Sequence, residues 1–312
     1  MASIPINISN AVSVLRVTAM LSIVICHILQ VYNNKWAWVF NIGVQVFLFL
    51  SGYLYGNKEI KDWYGWYKKR FFKLYIPYII LVGISLLSYH FLTETEVSIR
   101  SVLAYTTVTQ GIGGGKILGL NHLWFMTAIA LCYASTPILQ LFRKYPLASF
   151  VLIVSVGLIE FTVFQIRLGQ FSWLWLYAFG YYYTSIESKL KDFVAILSIV
   201  ALTIILCNIS WDIVIDYRHS DNIIFHNIAG VTLCTIGLSV LSHINLSKVV
   251  KRIKKLDEYS YSIYLTHHIF IFGAFSLAFE NKVLGTSLIL ILSTVSAYCI
   301  ICLSNKVKAL FF

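Results

Sequence analysis

The sequence predicts an all-α, polytopic integral membrane protein with about ten transmembrane helices and both termini in the cytoplasm. Three observations carry this prediction. Of 312 residues, 59% are hydrophobic and only 12% charged, where a soluble domain is roughly half apolar and a quarter charged; the mean hydropathy is +0.78. The apolar residues collect into runs long enough to cross a hydrocarbon layer of about 30 Å, which takes about 20 residues in a helix. The basic residues are divided unevenly between the two sets of loops that those runs define.

The first run, at 10–32, follows the start MASIPINISNAVSVLR. That start has neither a basic leader nor a small-residue cleavage site, so the first apolar segment is expected to stay as a span. The second, at 37–56, ends VQVFLFLSGYLYG, where Ser51 and Gly52 let another backbone come close. The third, at 74–92, is entered through the basic stretch WYKKRFFKLYIPY. A longer segment, 93–121, reads as a flexible outer loop near a site. Its TQGIGGGK resembles a phosphate loop only superficially, because isoleucine follows the lysine and no strand precedes it. The fourth and fifth runs are 122–142 and 146–166. The sixth, 171–187, is aromatic enough to be partly interfacial. The remaining runs are 193–211, 224–244, 260–279 and 284–304.

An even number of spans places both ends on one side, and the basic residues say which. Loops on the terminal side hold Lys58, Lys61, Lys68, Lys69, Arg70, Lys73, Arg143, Lys144, Lys189, Lys191, Lys248, Lys251, Arg252, Lys254, Lys255, Lys306 and Lys308. The opposite loops hold Lys35, Arg100, Lys116, Arg167, Arg218 and Lys282. By the positive-inside rule the richer side is cytoplasmic. The net charge of +11 is therefore a topology signal and not a nucleic-acid footprint, since no basic and aromatic binding module stands apart from the spans. No repeat, low-complexity tract or soluble domain is evident, so residues 1–312 read as one membrane domain. All six cysteines fall within apolar segments, where no disulfide framework is expected. Cys299 and Cys302 make a C-x-x-C with no nearby carboxylate and no second pair, which reads as packing and not as a metal centre.

Polar groups inside spans are costly and mark candidate sites. Arg16 and His27 are eleven residues apart, about 20° past three full turns and about 16 Å along the axis, so they share one face of the first helix. A polar track is one reading; the other is an arginine reaching the headgroups and a histidine satisfied by a neighbouring helix. Lys69, Arg70 and Lys73 stand at the cytoplasmic entry of the third run, with Arg70 and Lys73 projecting together. They suit lipid phosphates or a phosphorylated cytoplasmic ligand. His122 is expected at the outer interface and His267, in the doublet His267-His268, well inside the ninth helix. Glu160, the acid deep in a span, is a candidate partner for Arg16 or for a histidine. His90, His219, His226 and His243 look interfacial or loop-borne.

The arginine–ten–histidine first span, VFLFLSGYL, KRFFKLYIPY, HLWFM and YSYSIYLTH occur in that order, and together they resemble the membrane acyltransferase family 3. That family includes bacterial O-antigen and capsule O-acetyltransferases. The resemblance runs from about residue 10 to about residue 305. One position departs: Lys73 stands where the family usually has a second arginine, keeping the charge but losing the bidentate fork. The resemblance implies a multi-pass protein of the bacterial plasma (inner) membrane. It implies transfer of an acyl group, usually acetyl, from cytoplasmic acetyl-CoA as co-substrate to a hydroxyl of a glycan or lipid-linked oligosaccharide on the outer side. His27 and Arg16 would be catalytic, with Lys69, Arg70 and Lys73 on the coenzyme A phosphates. His122, Trp124, Glu160, Ser260, Tyr264 and His267 would contact substrate or support the site. Membrane lipids are expected neighbours, and no nucleic acid is.

A rival class remains open on sequence: a secondary transporter or glycan exporter using the intramembrane Arg, His and Glu side chains as a path. Against it, the two halves of the chain do not match, and the sixth span has no counterpart to the Arg16–His27 pair. A non-catalytic scaffold would need neither residue.

Overall fold

The computed structural model describes residues 5–112, 115–145, 147–149, 151, 152, 155, 173–208 and 220–310. The protein is all-α, and no strand occurs among the described residues. Among the described residues its helices are α1 (Ile6–Val31), α2 (Gly43–Gly56), α3 (Trp63–Leu92), α4 (Ile99–Thr106), α5 (Trp124–Leu141), α6 (Leu174–Tyr183), α7 (Ser188–Asn208), α8 (Ser220–His243), α9 (Val250–Ile271) and α10 (Lys282–Ala309). Short 3-10 turns at Lys35–Phe40 and Leu118–Leu123 precede α2 and α5.

Among the described residues, seven helical stretches are long and apolar enough to cross a membrane, against about ten expected. The predicted run 146–166 and its Glu160 lie outside the described residues. Among the described residues the run 171–187 contributes the ten residues of α6, about 15 Å of helix and half a hydrocarbon layer. The run 260–279 is displaced. Helix α9 begins at Val250, carrying the basic turn VKRIKK into the helix, and ends at Ile271. Gly273, at φ +85°, stops it there in the left-handed region that glycine tolerates.

Two compact units make up the chain. One comprises Met1–Cys26, Lys35–Glu59 and Ala128–Asp257, and close backbone approach organises it. A Cβ at Gly52 would fall 1.9 Å from the carbonyl oxygen of Tyr177, and one at Gly180 would fall 2.0 Å from that of Phe49. Glycine at these positions is what lets α2 and α6 touch backbone to backbone, as small residues do in membrane helices. Tyr177 Oη and Thr136 Oγ1 share a hydrogen bond of 2.8 Å, and Tyr182 donates to Leu139 O at 2.9 Å, fixing α6 to α5. Gly230 of α8 lies against Gln45 of α2, and Gly237 against Leu15 of α1. His226 is buried in α8 and donates from Nε2 to Trp38 O at 2.7 Å, so it is a core residue and not an interfacial one. Helix α7 leans on α8 through Thr232 Oγ1 to Ser198 O, 3.2 Å. It otherwise turns Phe193, Ile196, Leu197 and Val200 outward, the face that lipid would cover.

The second unit comprises His27–Asn34, Ile60–Thr127 and Glu258–Phe312. Asp62 caps α3, accepting from the Gly65 N–H at 2.8 Å. The 30 residues of α3 extend about 45 Å, longer than the hydrocarbon layer, so its first turns can carry Lys69, Arg70 and Lys73 outside the apolar zone. The segment 93–121 differs from the flexible loop expected. Ser98 caps α4, and Tyr75 donates to Thr106 O at 2.8 Å. Tyr78 donates to Tyr105 O, whose own hydroxyl accepts from the Ile117 N–H. Gln110 reaches Leu123 O at 2.6 Å. These bonds anchor to α3 and to the turn before α5 a stretch whose glycines suggest a free loop.

The core of this unit is the second half of α9. Residues Ser260 and Ser262–His268 are buried, and their polar groups are satisfied on neighbouring carbonyls, as burial requires. Tyr261 donates to Leu74 O of α3 at 2.7 Å, and Thr266 to Ser293 O of α10 at 2.9 Å.

Candidate active site

Helices α1 and α9 meet through two polar contacts, each inside one of the two units. Arg16 Nε lies 3.2 Å from Asp257 Oδ1, with side chains 26% and 12% exposed. His27 Nδ1 lies 2.9 Å from His267 Nε2. On α1 the two positions are eleven residues apart, about 16 Å along the axis; on α9 they are ten apart, about 15 Å. Arg16 therefore pairs with an acid that the sequence reading did not single out. Glu160, proposed for that place, is outside the described residues.

His27, His122, His267 and His268 converge. The His27 ring stacks on His267 at 5.1 Å and meets His268 edge-on at 4.8 Å. His122 stacks on His268 at 4.5 Å and lies 5.2 Å from His267. Phe272 closes the cluster at 6.1 Å from His27 and 4.7 Å from His268. His122, His267 and His268 are buried, whereas His27 keeps intermediate exposure. Of the four, His27 is the least buried ring.

Backbone carbonyls fix the protons of the cluster. His267 Nδ1 lies 2.7 Å from Tyr264 O and 3.2 Å from Ile263 O, both in its own helix. A carbonyl only accepts, so Nδ1 carries the hydrogen and Nε2 of the neutral ring is a bare acceptor. His27 Nδ1 must then donate to it, which leaves His27 Nε2 with a free lone pair. By the same reasoning His268 donates from Nδ1 to Gly119 O at 3.1 Å, and His122 from Nε2 to Leu265 O at 3.0 Å. Three of the four tautomers are thus set directly by backbone, and the fourth, His27, is set through His267. A base oriented by a second group, itself oriented by a third, is the arrangement that activates hydroxyl nucleophiles.

The remaining predicted residues have defined places. Tyr264 donates its hydroxyl to His122 O, binding α9 to the turn before α5. His122 itself is buried and not interfacial. Ser260 is buried two turns before His267 on α9. Trp124 is half-buried at the head of α5, with its ring against Phe125 at 6.5 Å. Lys69 and Lys73 are exposed and Arg70 is half-buried on α3. Sequence reasoning missed His268 and Asp257. The histidine doublet was visible, but neighbours on a helix point about 100° apart, and only the structure shows His27 seated between the two rings. The signal for Asp257 was its spacing: it precedes His267 by ten residues, much as Arg16 precedes His27 by eleven.

Among protein families, the chain matches the model of an acyltransferase domain over residues 9–305. No curated protein and no solved structure matches it.

Proposed function

Because the chain belongs to the membrane acyltransferase family 3, we propose that it moves an acetyl group from cytoplasmic acetyl-CoA to a sugar hydroxyl of a surface polysaccharide or its lipid-linked precursor. We place it in the bacterial plasma membrane, with both termini cytoplasmic and the acceptor on the outer side. Family membership decides between group transfer and transport in favour of group transfer.

The observation that supports the mechanism is the 2.9 Å contact of His27 Nδ1 with His267 Nε2: with His267 Nδ1–H on Tyr264 O, His27 donates from Nδ1 and its Nε2 lone pair is free to accept a proton. A sugar hydroxyl is a poor nucleophile at neutral pH. His27 Nε2 takes its proton as the oxygen bonds to the thioester carbonyl carbon. The tetrahedral adduct then collapses, the carbon–sulfur bond breaks, and the departing sulfur takes the proton back from Nε2. An ester and free coenzyme A result, and the base is regenerated. While His27 is cationic, its Nδ1–H rests on His267 Nε2, and the His267 Nδ1–H rests on Tyr264 O. General base catalysis of this kind contributes about 10²–10⁴-fold. Lys69, Arg70 and Lys73 suit the phosphates of the donor, whose charge their ammonium and guanidinium groups complement.

The test is acyl transfer from labelled acetyl-CoA by the purified protein in lipid nanodiscs. His27→Gln fills the same space and makes hydrogen bonds but does not take up the proton at neutral pH. It is expected to bind the donor and lose about 10²–10⁴-fold in kcat. Turnover near wild type in that variant would overturn the assignment.

A further inference from the structure

The base at His27 explains one free lone pair in the cluster and leaves another unexplained. His122 is 4% exposed, its Nε2–H is committed to Leu265 O, and its Nδ1 is buried with no hydrogen-bond partner. Buried polar atoms are nearly always paired, and an exception calls for a reason. The Nδ1 lone pair needs a donor. One residue earlier in the same 3-10 turn, Asn121 Oδ1 is also buried and unpartnered. Two adjacent residues therefore present acceptors that the protein does not satisfy. The reactive end of a thioester offers only a carbonyl and a sulfur, which accept and do not donate. A molecule carrying several hydroxyls offers what is missing.

We propose that His122 is a positioning residue for the acyl acceptor, its Nδ1 receiving a second hydroxyl of a polyhydroxylated molecule whose reacting hydroxyl lies at His27 Nε2. This rests on the role given to His27 above. The two lone pairs belong to one cluster: the His268 ring is 4.5 Å from His122 and 4.8 Å from His27. A single-hydroxyl alcohol or water at His27 leaves the His122 contact to a separate molecule, whereas one sugar makes both contacts with a single molecule ordered. The site thereby favours sugars over water through a hydrogen bond that water at the base does not make, and a site built to pair a hydroxyl discriminates strongly against partners that lack it.

The experiment measures how acyl groups partition between a methyl glycoside and water. The purified protein receives labelled acetyl-CoA and a panel of methyl hexosides at varied concentration. His122→Gln retains a donor for Leu265 O but no acceptor where Nδ1 stood. It should raise the glycoside KM and lower the ratio of glycoside acylation to hydrolysis, each about tenfold, the size of one lost hydrogen bond. His122→Asn places an amide oxygen near the Nδ1 position and should recover most of that ratio. A misfolded or loosened site lowers both reactions together and leaves the ratio unmoved, which would overturn the proposal. So would a raised KM for acetyl-CoA with the glycoside KM unmoved, which would assign the lone pair to an amide N–H of the donor arm. Wild-type protein that hydrolyses the donor but acylates no hexoside would overturn the sugar as acceptor. Failure of the His27 assignment is read separately, because His27→Gln would then keep both transfer and hydrolysis whatever His122 does.

Discussion

Replacing His267 with phenylalanine keeps a buried ring of similar size and removes the nitrogen that accepts from His27 at 2.9 Å. The His27 Nδ1–H is then left unpaired, at a cost of about 1–3 kcal/mol. The imidazole escapes that cost by moving its proton to Nε2, and in doing so loses the lone pair that takes the acceptor's proton. At about 1.4 kcal/mol per tenfold change, the competent tautomer falls roughly 5- to 150-fold, and kcat falls with it. The KM for acetyl-CoA should change little, since nothing in the donor's phosphate contacts is touched. His267→Gln offers an amide oxygen to His27 and should recover part of the loss. The assay is steady-state transfer from labelled acetyl-CoA in nanodiscs, extended to a double-mutant cycle with His27→Gln. If His267 acts only through His27, the double variant is no slower than His27→Gln alone, because groups that act as a unit are not additive. Losses that multiply, or a His267→Phe enzyme with wild-type kcat, would refute the relay.

Three further outcomes follow from packing and charge. Gly52→Ala places a methyl 1.9 Å from Tyr177 O and should destabilise the protein by about 1–3 kcal/mol. Gly83→Ala on α3 meets nothing within 4 Å and should be neutral or stabilising by up to about 1 kcal/mol; thermal exposure of the buried Cys26, Cys132 and Cys234 thiols to a maleimide dye reads both. Asp257→Asn leaves Arg16 without its ionic partner and should cost about 1–3 kcal/mol, between the values of exposed and buried pairs. The reversed pair Arg16→Asp with Asp257→Arg should recover at least half, and no recovery would show that Arg16 acts independently of Asp257. Arg70→Ala and Lys73→Ala should each raise the KM for acetyl-CoA by roughly tenfold or more, since a hydrogen bond to a charged group contributes about 1.5–3 kcal/mol, whereas Lys73→Arg should be tolerated. Unchanged affinity for a coenzyme A analogue in the alanine variants would move the phosphates elsewhere.

The sequence by itself determined the class of protein and the family. Insertion into lipid depends on the length and polarity of contiguous runs, which are local properties, and the family's motifs are contiguous too. It also marked Gly52, His27 and His267, because a small residue or an imidazole is conspicuous in an apolar helix. The tertiary structure decided what each of them touches. The contact between His27 and His267 spans 240 positions, that between His268 and Gly119 spans 149, and that between His122 and Leu265 spans 143. No periodicity within one helix encodes such pairings. They arise because glycines such as Gly119, where a Cβ would strike the Tyr89 hydroxyl, let α9 pack against α3, α10 and the turn before α5. That packing turned His122 from an expected interfacial residue into a buried one, and the acid that pairs with Arg16 is Asp257 of α9. The packing also fixed, through backbone carbonyls, which imidazole nitrogens hold protons and which are left to accept them.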